Sequence, residues 1–153
     1  NQAGPTIAAI DGKVFVFTVN DNRSPSTRRR LIDVATYDGS SWTTSGDIPG
    51  RSITRGYWPI ARTKNGTMYL FILNPVSPNS FSIYTYKNGT WSTFIEEYAY
   101  PSSEPGIEPA TYHSFSLYCP DMVIDDDGNI YLGICYDYSP QVLKIDANTK
   151  DNY

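Results

Sequence analysis

The residues of this sequence that could do chemistry lie in two short stretches, RGYWPIAR and TYHS, each of which occurs once. They combine guanidinium groups, aromatic rings and the chain's one imidazole, and they are Arg55, Tyr57, Trp58, Arg62, Tyr112 and His113. A histidine in such a group can contact a ligand or act as a general base. The alternative for His113 is a histidine that is simply hydrogen-bonded within a long loop. We predict that these six residues bind the ligand, and we assign no catalytic residue.

A cluster of carboxylates lies in the proline-rich stretch before His113. Its members are Glu96, Glu97, Glu104 and Glu108. Long connections often carry function, and a glycosidase needs two carboxyl groups placed across the sugar, one of them with a raised pKa. The cluster therefore keeps a carbohydrate-active enzyme open as an alternative to simple binding.

The acidic run from Ile124 to Asn129 is a candidate calcium loop. Its oxygen-bearing residues alternate at Asp125, Asp127 and Asn129, but no glutamate closes the loop as the EF-hand pattern requires. A hairpin turn accounts for the same residues. We therefore predict no metal site, and nothing in the sequence indicates a cofactor.

Three segments of the chain repeat one pattern, in which an apolar run, an Asp-Gly or Asn-Gly turn and a second β-like run follow one another. The turn glycines are Gly12, Gly66 and Gly128, so the repeats are 54 residues (12 to 66) and 62 residues (66 to 128) apart. These dipeptides favour type I′ hairpins, whose two central residues both take positive φ. A third run follows in every repeat and a fourth in the first two. The sequence thus predicts about three units of four short antiparallel strands, with second strands that are buried on both faces.

Four-stranded units repeated at about fifty residues are typical of β-propeller blades. The stretch DMVIDDDGNIYLGICYDYSPQVLKIDANT resembles a blade of NHL-type propellers, and the turns around Gly39, Gly66 and Gly89 are similar to bacterial surface propeller repeats and, more loosely, to kelch repeats. The resemblance implies an all-β fold whose ligands bind where loops lead into the innermost strands. Two signatures are absent, since the kelch double glycine is missing and Tyr37 stands where sialidase propellers carry the aspartate of their Ser-x-Asp-x-Gly-x-x-Trp phrase.

The repeats also predict the organisation of the chain. We place blade 1 at 5–50, blade 2 at 56–100, a connecting loop at 101–119 and an incomplete blade 3 at 120–153. Because a closed ring takes roughly four to eight blades, further blades are expected from the same polypeptide or from other copies of the chain. A β-sandwich is the alternative fold. Trp42 and Trp91 recur at the same place in their repeats, so we expect them to pack between blades rather than to bind sugars.

Composition favours a secreted or cell-surface β protein, because charged residues make up 18% of the chain while aromatic residues reach 14%. The net charge of −4 gives no support to nucleic-acid binding, and no apolar run is long enough for a transmembrane segment. The leading hypothesis is therefore non-enzymatic recognition of a glycan, or otherwise of a protein ligand. A glycoside hydrolase or polysaccharide lyase of propeller fold is one alternative, and an assembly scaffold is the other.

Overall fold

The structure is a computed structural model, and it describes residues 4–24, 27–45, 48, 57–73, 80–99, 121–136 and 139–149. Within these ranges every regular element is a β-strand, and no helix occurs there that could cross a membrane. The strands are β1 Thr6–Ile10, β2 Lys13–Ser24, β3 Thr27–Tyr37, β4 Trp42–Ser45, β5 Tyr57–Lys64, β6 Thr67–Leu73, β7 Ser80–Lys87, β8 Thr90–Ala99, β9 Asp121–Ile124, β10 Ile130–Tyr136 and β11 Ser139–Ile145.

The strands form three antiparallel sheets in which neighbours in sequence are neighbours in space. Blade 1 contains β1–β4, blade 2 contains β5–β8, and blade 3 contains β9–β11. This simple up-and-down order is the arrangement within a propeller blade. The all-β class and the blade architecture predicted from the repeats are therefore confirmed, and the described chain forms part of a propeller. The exact blade boundaries stay a prediction, because residues at several of them lie outside the described ranges.

The first hairpins of blades 1 and 2 turn as their dipeptides predict. Asp11 and Gly12 have φ values of 52° and 71°, and Asn65 and Gly66 have values of 48° and 67°. Positive φ at both central residues is the type I′ turn, whose twist matches that of the flanking strands. These turns set the register, so that Ile10 pairs with Lys13 and the apolar residues of each strand lie on defined faces.

The connection between β3 and β4 depends on the carboxylate of Asp38. Its Oδ1 accepts hydrogen bonds from the backbone N–H groups of Ser40 and Ser41, at 2.9 and 2.8 Å, and from the Ser40 hydroxyl at 2.8 Å. These bonds favour the ionised form, with the Ser41 N–H contributing most, and they lower the pKa of Asp38 from 3.8 to about 2. The turn is therefore held by an ionised side chain.

This turn predicts a pH-dependent difference between the unmodified chain and the variant Asp38→Asn. Since folding lowers the pKa of Asp38, its charge stabilises the fold above the unfolded value of 3.8 and loses that effect as the pH falls towards about 2. Urea unfolding should show the unmodified chain as the more stable at neutral pH, with the gap closing between those two values. A gap that is unchanged down to about pH 2 would show that the charge of Asp38 contributes nothing.

Two apolar clusters hold the three blades together. The first fills the space between blades 1 and 2 and contains Ile10, Phe15, Phe17, Ile32, Val34, Ile48, Ala61, Met68, Leu70, Ile72, Tyr84 and Tyr86. The second fills the space between blades 2 and 3 and contains Ile60, Phe71, Leu73, Phe81, Ile83, Met122, Ile124, Ile130, Leu132, Leu143 and Ile145. Each cluster draws residues from both of its blades. Burial of apolar surface between neighbouring sheets therefore accounts for the stacking of the blades.

The prediction that second strands are buried on both faces is right for β6 and wrong for β2 and β10. In β6 every residue from Leu70 to Leu73 is buried, because a blade lies on each side. In β10 the residues Ile130 and Leu132 are buried, while Gly133 on the opposite face is exposed. The reason is position, since blades 1 and 3 have only one neighbouring blade among the described residues.

Candidate functional site

The first strands of the three blades converge, and side chains and backbone link them directly. The N–H of Ala61 on β5 donates to Oγ1 of Thr6 on β1 at 3.1 Å, and the Thr63 hydroxyl donates to the carbonyl oxygen of Ala9 at 3.1 Å. On its other side β5 lies against β9 of blade 3. Strands β1, β5 and β9 are therefore the innermost strands, which is where a propeller surrounds its axis.

Trp58 lies at the beginning of β5 in an unusual backbone conformation. Its φ is 45°, which is a marked departure for a bulky residue, and the pairing register with β6 shifts between Tyr57 and Ile60 at the same place. A local bulge of this kind redirects side chains and is frequent beside functional sites. The ring of Trp58 is half-buried and packs against the cluster between blades 2 and 3. The position of this indole therefore depends on a backbone conformation that is unfavourable for tryptophan.

Arg62, four residues further along β5, bridges to the next blade. Its Nη2 donates to Oδ1 of Asp121, the first residue of β9, and its Nη1 donates to the carbonyl oxygen of Ala61 at 2.9 Å. The same carboxylate oxygen also accepts the N–H of Met122 at 2.8 Å. The side chains remain 44% exposed for Arg62 and 70% for Asp121, so a ligand can reach both. The pair therefore forms an accessible, oriented carboxylate on the innermost strands.

A second ion pair links the same two blades two residues further along β5, at the last residue of the strand. The Nζ of Lys64 lies 2.6 Å from Oδ1 of Asp126, and Nδ2 of Asn65 donates to the backbone carbonyl of Asp126 at 3.0 Å. Here the acid belongs to the turn that follows β9 rather than to the strand. Exposed pairs of either kind contribute about 0–1 kcal/mol to stability. The Lys64–Asp126 pair therefore serves as a matched comparison for the Arg62–Asp121 pair.

The turn after β9 is a hydrogen-bonded structure built around Asp125. Asn129 donates to this carboxylate from its backbone N–H at 2.8 Å and from Nδ2 at 2.9 Å, and the Tyr131 hydroxyl donates at 3.1 Å. The bonds from Asn129 lower the pKa of Asp125 below its usual value. A closing turn thus accounts for this part of the acidic run, as the hairpin interpretation of the sequence proposed.

The structure describes only part of the predicted ligand-binding set. Trp58 and Arg62 lie on the same strand, and both face blade 3. For Tyr57 the backbone pairing with Leu73 is described and its side chain is not. The other predicted residues, which are Arg55, Tyr112 and His113, lie outside the described residues. The six-residue site as a whole therefore stays a prediction.

Asp121 is the residue that sequence reasoning missed. The run PDMVI contains one acid directly before apolar residues. This pattern indicates the beginning of a strand and matches no catalytic or binding motif. Only the stacking of blade 2 on blade 3 brings it to Arg62, across 59 residues of sequence. The glutamates that the sequence singled out are elsewhere. Glu96 and Glu97 belong to the outer strand β8, where Glu96 is exposed and the side chain of Glu97 is not described, and Glu104 and Glu108 lie outside the described residues.

Comparison with known proteins shows a likeness of structure without a likeness of sequence. The sequence matches no protein-family profile and no curated protein. Among solved structures, an α-L-arabinofuranosidase of Clostridium thermocellum superposes with a TM-score of 0.58 at 16% identity, over 97% of this chain and 53% of that enzyme. An exo-β-1,3-galactanase of the same organism superposes with a TM-score of 0.62 at 12% identity, over 100% of this chain and 36% of that enzyme.

A third likeness comes from another glycoside hydrolase family. A family 117 enzyme of the marine bacterium Zobellia galactanivorans superposes with a TM-score of 0.56 at 13% identity, over 98% of this chain and 53% of that enzyme. The chain spans about half the length of these solved structures or less. At such low identity the likeness shows the fold, which is a β-propeller. It supports the propeller resemblance seen in the sequence and gives no support to the NHL or kelch types in particular.

Proposed function

We propose that this chain forms part of a glycan-acting β-propeller enzyme of the glycoside hydrolase class. The observation that carries the proposal is the accessible Arg62–Asp121 pair, which lies on the innermost strands beside the bulge that places Trp58. The solved structures that superpose on nearly the whole chain are described as glycoside hydrolases, which supports an enzyme over the non-enzymatic recognition that the sequence favoured.

The chemistry of glycoside hydrolysis fits these groups. The transition state carries positive charge on the sugar, and two carboxyl groups flank the scissile bond. Asp121, held by a guanidinium and a backbone N–H, supplies an oriented negative charge towards that developing charge. In this proposal the exposed part of the half-buried Trp58 side chain contacts the sugar ring, and Arg62 uses its exposed surface for hydroxyl groups.

The second carboxyl group, which protonates the departing oxygen, comes in this proposal from the connection before β9. That connection carries Glu104 and Glu108, and its chain leads directly into Asp121. As the glycosidic C–O bond breaks, the leaving oxygen takes the proton from the acid. A water molecule adds to the anomeric carbon, and the Asp121 carboxylate accepts the proton that this water loses. His113 in the same connection is retained as a predicted ligand contact. A secreted or cell-surface location stays a prediction and agrees with polymeric glycans as substrates.

The proposal predicts that the chain releases sugar from at least one polymer or oligosaccharide containing α-L-arabinofuranosyl or β-1,3-galactosyl units. Anion-exchange chromatography of the reaction products measures this release, and saturation-transfer NMR on the same sugars measures binding. Heat-unfolded chain is the control for contaminating activity. Binding without sugar release would favour the recognition hypothesis over the enzyme. The absence of both binding and release would leave the assembly scaffold as the remaining hypothesis.

A further inference from the structure

The Asp121 carboxylate is held through one of its two oxygens. Its Oδ1 accepts a hydrogen bond from Nη2 of Arg62 on the neighbouring blade, and a second from the N–H of Met122 at 2.8 Å. Both donors reach the same oxygen, so Oδ2 takes no part in the bonds that hold the group. A carboxylate that is fixed in this way has a defined orientation, and its second oxygen keeps its lone pairs for a reacting group.

Arg62 is itself fixed at a second point of its guanidinium plane. Nη1 donates to the backbone carbonyl oxygen of Ala61 at 2.9 Å, while Nη2 donates to Asp121. Because the guanidinium group is planar and rigid, the two bonds together define the direction from which Nη2 approaches the carboxylate. The Arg62 side chain is therefore oriented within the fold, before a substrate binds.

The backbone of Ala61 connects this arrangement to a third blade. Ala61 is buried, and its N–H donates to Oγ1 of Thr6 on β1 at 3.1 Å. Hydrogen bonds thus follow one another across β1, β5 and β9, through Thr6, Ala61, Arg62 and Asp121. They tie the carboxylate on β9 to the innermost strands of both preceding blades.

Lys64 forms the neighbouring ion pair with a different kind of cation. Its Nζ contacts Oδ1 of Asp126, in the turn after β9. An ammonium group is a compact charge on a flexible stem, and it does not fix the direction of a bond as a planar guanidinium does. The two pairs therefore join the same blades with similar charges but differ in how firmly the acid is oriented.

We propose that Arg62 is a positioning residue, which holds Oδ1 of Asp121 so that Oδ2 accepts the proton of the attacking water. This inference rests on the proposed function and adds to it the reacting oxygen and the residue that orients it. A lone pair of the water oxygen forms the new bond to the anomeric carbon, and the water proton goes to Oδ2. The electrons of the glycosidic bond leave with the departing oxygen, which takes a proton from the acid.

Positioning of this kind affects the rate of the chemical step more than the affinity for the sugar. A displacement of about 1 Å in a reacting group can cost about 100-fold in rate. Loss of a contact between Arg62 and sugar hydroxyl groups would instead raise KM and leave kcat unchanged. The two kinetic parameters therefore separate the positioning role from simple binding.

Steady-state kinetics on the best substrate of the unmodified chain tests the role. Arg62→Met removes the donors and keeps most of the stem, and Arg62→Lys keeps the charge and loses the planar fork. We expect kcat to fall about 10- to 100-fold in both variants. Lys64→Met is the matched control, because it breaks the other ion pair between the same blades, and its kcat and KM should stay within about twofold of the unmodified chain.

Added guanidinium ion gives a second measurement, at concentrations far below those that unfold the chain. It should raise kcat of Arg62→Ala, because it can donate to Oδ1 from the vacated space, and it should leave Asp121→Asn unchanged. Circular dichroism should show an unchanged β-sheet spectrum for every variant. A loss of kcat in Arg62→Ala that guanidinium does not restore would overturn the positioning role.

Two further results would overturn this role while leaving the proposed function intact. One is a raised KM with unchanged kcat in Arg62→Met, which would assign Arg62 to binding alone. The other is full kcat in Arg62→Lys, which would show that a positive charge suffices without the planar fork. If the unmodified chain releases no sugar at all, the proposed function fails and the positioning role fails with it.

Discussion

Replacing Phe17 with alanine is expected to lower the free energy of unfolding by about 3–5 kcal/mol. The Phe17 side chain is fully buried in the cluster between blades 1 and 2, where its ring is stacked on Phe15 and meets the edge of Trp91. Its removal takes apolar area from the interface and leaves a cavity that the surrounding rigid strands cannot fill. Since domains of this size are stable by about 5–15 kcal/mol in total, the loss is a large part of the whole.

Urea unfolding followed by tryptophan fluorescence measures this effect. Thr18→Ala is the matched control, because Thr18 is the next residue on β2 and is exposed. It should change the free energy of unfolding by no more than about 0.5 kcal/mol. If Phe17→Ala costs less than about 1 kcal/mol, the aromatic contact between the first two blades contributes little to the fold, contrary to the packing described above.

The blade architecture was within reach of sequence reasoning because its signals are local. Asn65-Gly66 and Asp11-Gly12 predict type I′ hairpins through their tolerance of positive φ, and the observed angles agree. Alternation of apolar residues then predicts which strands stack. The prediction of two buried faces failed for β2 and β10, since burial depends on neighbouring blades and only one blade lies beside each of these strands among the described residues.

The two repeated tryptophans illustrate the same limit. Trp42 and Trp91 occupy one position in two repeats, and each lies directly across from a tyrosine. The prediction that they pack between blades is confirmed for Trp91, which contacts Phe15 and Phe17. Trp42 is exposed instead, because its equivalent neighbour is not among the described residues. Identical local sequence thus gives different environments.

The candidate site depends on features that local patterns do not encode. Tryptophan ordinarily avoids positive φ, so no propensity predicts the conformation of Trp58 at the bulge. The meeting of Arg62 with Asp121 requires the register of β5 and β9 across two separate blades. Sequence reasoning selected Trp58 and Arg62 because they stand in a stretch that is not repeated. It had no comparable reason to select Asp121.

Replacing Asp121 with asparagine is the second large expected effect, and it concerns catalysis. The change keeps the size and most of the hydrogen bonding of the side chain but removes the charge that the proposal directs at the sugar. We expect glycoside turnover to fall by about 100-fold or more, as happens when an electrostatic contact to the transition state is lost. The free energy of unfolding should change by less than about 1 kcal/mol, because the pair with Arg62 is exposed.

The most direct test of the account is the rate of sugar release by Asp121→Asn and Asp126→Asn, measured side by side on the best substrate of the unmodified chain. Both acids pair with a cation of β5, but only Asp121 lies on an innermost strand. The account predicts that Asp121→Asn loses about 100-fold in rate while Asp126→Asn stays within about twofold of the unmodified chain. Equal rates for the two variants would contradict a glycan-acting site at the contact between Arg62 and Asp121.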